Sequence, residues 1–193
     1  MNPTNPTGPT LADYTAPTLI VPRLRGSTTA AVMEELSNAL GQADHSMAGV
    51  RSESHAAMQL ELLTGCDLQS GVVFPRARIA GIHHPRLAVG RADPPLPWLA
   101  RFYPATEFIF LLAEPQTDSL ETAQLTETVN RLRRDPSVLK ELRLARTTGQ
   151  MLTVFGRYRL VSAEEVAKVQ ARQLEVVNRY TAHRPVHSWS RRS

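Results

Sequence analysis

The chain has 193 residues, 42% hydrophobic and 21% charged, with one cysteine, Cys66, and a formal net charge of +4. That length and composition suit one globular domain with short additions, and a single cysteine excludes an internal disulfide framework or a multi-cysteine metal site. No apolar run approaches the roughly 18 residues of a spanning helix, and the Pro- and Thr-rich start lacks the basic and apolar parts of a signal peptide, so a cytoplasmic chain without membrane insertion is expected.

Residues 1–10 bury too little apolar surface to offset ordering and read as a flexible tail. Leu11 to Leu24 is apolar but interrupted by Pro17 and Pro22, which suits a short helical turn and a docked segment. Ser27 offers an N-cap, and Ala30, Met33, Leu36 and Leu40 follow at helical spacing toward Gly41. A polar connection precedes a second helix between Ser54 and Thr64, which Gly65 ends.

Gly71 to Phe74 is a short buried strand, Arg86 to Arg91 another, and Glu107 to Ala113 a near-continuous apolar run with the character of a central strand. Pro94, Pro95 and Pro97 mark a turn or an edge between the last two. The remainder is helical. Leu120, Leu125, Val129 and Leu132 share one side of a helix, and Pro136 at N1 starts the next. Thr147 or Thr148 caps a short third. Ser162-Ala163-Glu164-Glu165 has the form of a capping box that opens a final helix to about Tyr180. Its apolar residues include Val166, Val169, Leu174, Val176, Val177 and Tyr180.

Arg179, Arg184, Arg191 and Arg192 follow the last acidic residue, Glu175, and account for the whole net charge. A nucleic-acid reader carries its basic face on the folded domain, so no nucleic-acid partner is expected. The organisation read from the sequence is a tail (1–10), a domain (11–160), an extra C-terminal helix (161–181) and a basic tail (182–193). Helices, then strands, then helices predict an α/β fold with a mixed sheet of about five strands covered by helices on its faces.

The segment Gly71-Val72-Val73-Phe74-Pro75-Arg76-Ala77-Arg78 ends an apolar run on Pro and then delivers a polar side chain. It resembles the active-site strand of the fructose, mannitol and nitrogen-regulatory (type 2) class of enzyme IIA. These proteins belong to the bacterial phosphoenolpyruvate-dependent sugar phosphotransferase system. The resemblance spans about residues 10–155. It rests on the Glu34–Leu36 helix, the second helix, the Gly-apolar-Pro strand, the Pro85–Gly90 strand, the apolar run before Pro115, and a helix ending near Asp135. It implies the layered architecture just described, and a residue after the Pro that is a phosphoryl-carrying histidine. Arg76 stands there in this chain.

The family's Arg-Glu pair at the end of the second helix falls on Leu60 and Glu61, so the Glu is kept and the Arg is not. A His-Leu pair opening the helix after the apolar run falls on Glu121 or Thr122, neither of them His. The basic residue two positions after the active-site residue is retained as Arg78.

A phosphocarrier needs a neutral nitrogen nucleophile near neutral pH, which imidazole supplies and guanidinium does not. Three readings remain open. The first is a regulatory or interaction protein of a phosphotransferase system that contacts a protein partner and is not phosphorylated at position 76. The second is an active phosphoryl carrier that uses His83 or His84 instead. The third is an anion- or metabolite-binding domain in which Arg76 and Arg78, with Glu61 nearby, grip a phosphate or carboxylate. Against the third stands plain pairing of the two arginines with Glu61 or Asp67. No cofactor is expected, and His83-His84 lacks an obvious third metal ligand. The final helix either packs back on the domain or pairs with a second copy of the chain.

Overall fold

Phe108, Ile109, Phe110, Leu111, Leu112 and Ala113 are all fully buried, which makes their strand, β5 (Thr106–Pro115), the spine of the molecule. The computed structural model describes residues 8–43, 71–98 and 105–182. The expected second helix, with Leu60, Glu61, Cys66 and Asp67, lies outside the described residues, as do His45, His55 and the tail from 183 onward.

β5 pairs antiparallel with β4 (Arg86–Leu96), and β4 pairs parallel with the short β1 (Ile20–Val21). On its other side β5 takes two short parallel strands, β2 (Val72–Val73) and β3 (Arg76–Ile79). The strand expected over Gly71–Phe74 is therefore shorter, and pairing resumes after Pro75. Proline has no N–H to give the ladder, so the line breaks there. Its carbonyl still accepts from Leu112 N at 3.0 Å, which keeps β2 and β3 on one path. β4 runs further than the expected Arg86–Arg91. Pro94 and Pro95 fall where its register against β5 shifts, between Arg91 and Leu96, so the missing donors break no regular ladder.

Strand alternation splits the core in two. Val73, Ala77, Ile79, Ala88, Ile109, Leu111 and Ala113 face helix α1 (Thr29–Ala43), whose Val32, Met33, Leu36 and Leu40 cover them. Val72, Phe74, Leu87, Val89, Phe108, Phe110 and Leu112 face the other way, toward α2 (Leu120–Leu132), α3 (Pro136–Leu144) and α4 (Thr148–Arg157). Phe155 of α4 meets Phe110 edge-on, with ring centres 6.1 Å apart. A Cβ on Gly90 would stand 2.8 Å from Leu24 Cδ1, so glycine there lets the segment after β1 lie against β4.

Local chemistry sets the helix starts. Thr28 Oγ1 accepts from Ala31 N at 3.2 Å, so the α1 cap sits one residue beyond Ser27. Asp135 caps α3 with Pro136 in its first turn, and Thr147 caps α4 with Gln150 reciprocating. Ser162 and Glu165 form the box that opens α5 (Ala163–Ala182). The Pro9 carbonyl accepts from Leu160 N at 3.0 Å, which ties the start of the described chain to the segment before α5.

One apolar expectation shifts, and one alternative for the final helix is observed. Leu120 is 53% exposed and does not join Leu125, Val129 and Leu132 in the core. α5 packs back on α2 at its base, through Val161 and Val166.

Among the described residues, no helix is long and apolar enough to cross a membrane.

Candidate protein-contact site at the end of the sheet

The site forms where β3 and β5 end together and the chain turns into α2. In β3, Ala77 and Ile79 point into the α1 core, so Arg76 and Arg78 project to the opposite side. Along β5 that same side carries Phe108, Phe110 and Leu112, and then Glu114, which is only 5% exposed. The apolar strip thus ends on a buried carboxylate beside two arginines.

Arg76 Nη2 donates to Glu114 Oε2 at 2.8 Å. Arg78 Nε lies 3.7 Å from Glu114 Oε1, and the same guanidinium pairs with Asp118 and donates to the Gln116 carbonyl at 3.2 Å. Two cations face two carboxylates, so the cluster is formally neutral. The arginine side chains remain 42% and 49% exposed. A guanidinium here is a fixed donor array and a poor nucleophile.

Glu114 was invisible as a site residue in the sequence. The only hint was an acidic residue closing an otherwise apolar strand directly before Pro115.

Arg76 and Asp118 stand at one end of a cleft of about 670 Å³ between α2 and α5. Thr122 and Asn130 of α2, with Val166 and Gln170 of α5, line its walls.

The histidines lie elsewhere. Gly81, at φ 84°, turns the chain after β3 in a conformation that favours glycine. The loop then carries His83 and His84 to the first turn of α2. His84 Nδ1 is 3.1 Å from Glu121 Oε2, and its side chain is 70% exposed. Glu121 also accepts a hydrogen bond from Tyr14. Burial, followed by the charge of Glu121 and that bond, pushes the Tyr14 phenol up to about 12. Neither histidine lines the cleft with Arg76.

The two positions where the family resemblance places a second histidine therefore diverge. Thr122 faces the cleft with Arg76, and Glu121 faces Tyr14 and His84. Among the described residues, no group of three His, Cys, Asp or Glu side chains could hold a metal ion.

A second ionic group sits at the start of β5. Arg91 Nη1 donates to the carbonyls of Arg143 at 3.0 Å and Ala145 at 3.3 Å, closing the end of α3. Glu107 accepts from Arg143 Nε at 2.6 Å and lies 3.7 Å from Arg91 Nε.

No family model matches the sequence, and no curated protein is significantly similar to it. Solved structures are. The nitrogen regulatory protein IIA-Ntr from Neisseria meningitidis superposes with a TM-score of 0.62 at 21% identity, covering 75% of this chain and 98% of that one. The mannitol-specific cryptic phosphotransferase enzyme IIA CmtB from Escherichia coli gives 0.57 at 12% identity, over 76% of this chain and 98% of that one. The mannitol IIA protein from Escherichia coli gives 0.55 at 11% identity, over 72% and 97%. At these identities the likeness is one of architecture: the chain has the fold of the phosphotransferase-system IIA proteins of the nitrogen-regulatory and mannitol type.

Proposed function

We propose that this chain is an enzyme IIA-like protein that contacts a partner of phosphotransferase or regulatory type through its Arg76 face and carries no phosphoryl group at position 76. One observation supports this reading above the others. The side chain that follows Pro75, in the fold of phosphotransferase IIA proteins, is a guanidinium held 2.8 Å from a buried carboxylate. Guanidinium is protonated at any physiological pH and offers no lone pair for attack on phosphorus. A phosphoryl group added there would also face Glu114 directly, like charge against like. The neutral Arg–Glu–Arg–Asp cluster instead presents a fixed pattern of donors and acceptors to a neighbouring surface.

The test is incubation with phosphoenolpyruvate and the general phosphotransfer proteins, together with capture of partners on immobilised chain. The expected result is no acid-labile label and a partner whose retention drops on Arg76→Ala. Capture that is indifferent to Arg76 would sink the reading.

The His84–Glu121 contact favours a second reading. A carboxylate on Nδ1 orients an imidazole and leaves Nε2 on an exposed side chain. In this reading His84 is the phosphoryl acceptor, with His83 beside it. Label that appears on the chain and disappears in His84→Ala would establish it, and an unlabelled chain would remove it.

A further inference from the structure

The sheet carries four arginines. Arg76, Arg78 and Arg91 each meet a carboxylate. Arg86, the first residue of β4, is half-buried, yet its side chain makes no hydrogen bond or ion pair with any described residue. It stands opposite Ala113 and in step with Ala88, both on the α1 side of the sheet, whereas Arg76 and Arg78 project from the other side. A partly buried cation without a counter-charge is costly unless water or an anion reaches it.

Beside Arg86 is a cavity of about 260 Å³, smaller than the roughly 300–1,000 Å³ of sites for drug-sized ligands. β1 runs parallel to β4, so the segment leading into β1 brings Thr15 and Leu19 to its wall. Thr15 sits in extended backbone between two single helical turns, Leu11–Tyr14 and Pro17–Leu19. Its Oγ1 is buried and has no hydrogen-bond partner among the described residues. Leu40 and Ala43, from the end of α1, extend the apolar wall begun by Leu19. Among the described residues that line the cavity, Arg86 alone is charged.

These features select a ligand class. A guanidinium holds a carboxylate through two parallel N–H···O bonds, and a hydroxyl nearby can add a third donor. The apolar wall suits a short alkyl chain. Phosphate fits less well, because near neutral pH it brings about two negative charges and several acceptor oxygens to one cation and an apolar wall. The Arg76 cluster, by contrast, already holds its own carboxylates, Glu114 and Asp118.

We propose that the cavity bounded by Arg86, Thr15 and the end of α1 binds a short aliphatic monocarboxylate, its head on the Arg86 guanidinium and its chain against Leu19 and Leu40. The site lies across the sheet from the Arg76 face and does not rest on the protein-contact reading.

The experiment titrates the full chain with acetate, propionate and butyrate at constant ionic strength. Saturation-transfer NMR on the methyl protons of each probe gives its dissociation constant. Affinity should rise from acetate to butyrate by up to about fourfold per methylene, as the chain reaches the apolar wall. Arg86→Gln should weaken butyrate about tenfold or more without lowering the melting temperature, since the guanidinium holds no partner in the fold. Arg86→Lys keeps the charge without the fork and should fall between the two. Thr15→Val should weaken butyrate about threefold. No saturable signal from any probe, or one unchanged in Arg86→Gln, overturns the site. A chain that loses its fold on Arg86→Gln would make the guanidinium a structural fastener and overturn it equally. Displacement of butyrate by an equal concentration of inorganic phosphate would overturn the choice of carboxylate.

Discussion

β5 carries a glutamate at each end, and each glutamate lies between two arginines. At the start, Glu107 meets Arg91 and Arg143; at the end, Glu114 meets Arg76 and Arg78. The charges match, but the surroundings do not. The Arg91 side chain is 10% exposed and spends its donors on the last carbonyls of α3. Arg76 and Arg78 are each more than 40% exposed and open toward α5 and solvent. A buried arginine that also satisfies main-chain oxygens is a fastener, because its loss strands several polar groups at once. A half-exposed arginine paired with a buried carboxylate holds little stability and leaves donor edges for a neighbour. Burial and the choice of acceptor separate the two ion groups here, and the residue types do not.

The contrast should break most visibly at the buried end. Arg91→Ala is expected to cost about 3 kcal/mol, because the Arg143 and Ala145 carbonyls lose their donor and Glu107 loses one of its cations. Chemical denaturation measures this, and a loss below that of Glu114→Gln would refute the assignment of roles. Glu114→Gln is expected to cost about 1 kcal/mol, since its arginines can turn to water. It should also create an affinity absent from the parent: inorganic phosphate should raise the melting temperature of Glu114→Gln and leave the parent unchanged, as the arginines lose their internal counter-charge.

Smaller effects follow from two titrating groups outside these two clusters. The Tyr14 phenol, raised to about 12 chiefly by burial, is favoured in its protonated form by the fold. Its contribution is full below pH 10 and is lost as pH rises toward 12. Tyr14→Phe should flatten that alkaline limb in a stability–pH profile. The smallest change is expected in acid. Hydrogen bonds from the Ser162 backbone and from Arg131 pull Glu165 from 4.5 down to about 2. The stabilisation it provides is present above pH 4.5 and fades as pH falls toward 2. Amide exchange in the first turns of α5 should quicken over that window, while β5 amides stay protected. Uniform loss of protection would deny that the two regions respond separately.

Much of the architecture was legible because it is written in local pattern. A short uninterrupted apolar run from Phe108 to Ala113, closed by Pro115, has the character of a strand covered on both faces. Pro136, Thr147 and the Ser162–Glu165 box mark helix starts through groups that bond to the nearest main-chain N–H. β3 was missed because Pro75 looks like an end, whereas the neighbouring β5 supplies the donors that let pairing resume beyond it. Leu120 was grouped with Leu125, Val129 and Leu132 but is 53% exposed, because helical spacing alone cannot tell a core-facing position from one at the margin of the face.

The site was legible only in part. The sequence by itself determined that a permanent cation follows Pro75 where an enzyme IIA-like strand would end, because that is a matter of residue type and order. It also determined the α/β class, through periodicities set by backbone geometry. Only the tertiary structure decided which carboxylates face the two arginines. Glu114 lies 38 residues from Arg76 and meets it solely because β3 and β5 run side by side in one register. It likewise decided that His84 stands over Glu121 while Arg76 opens under α5. Such pairings follow from how strands align and helices cross, and no local spacing carries that information.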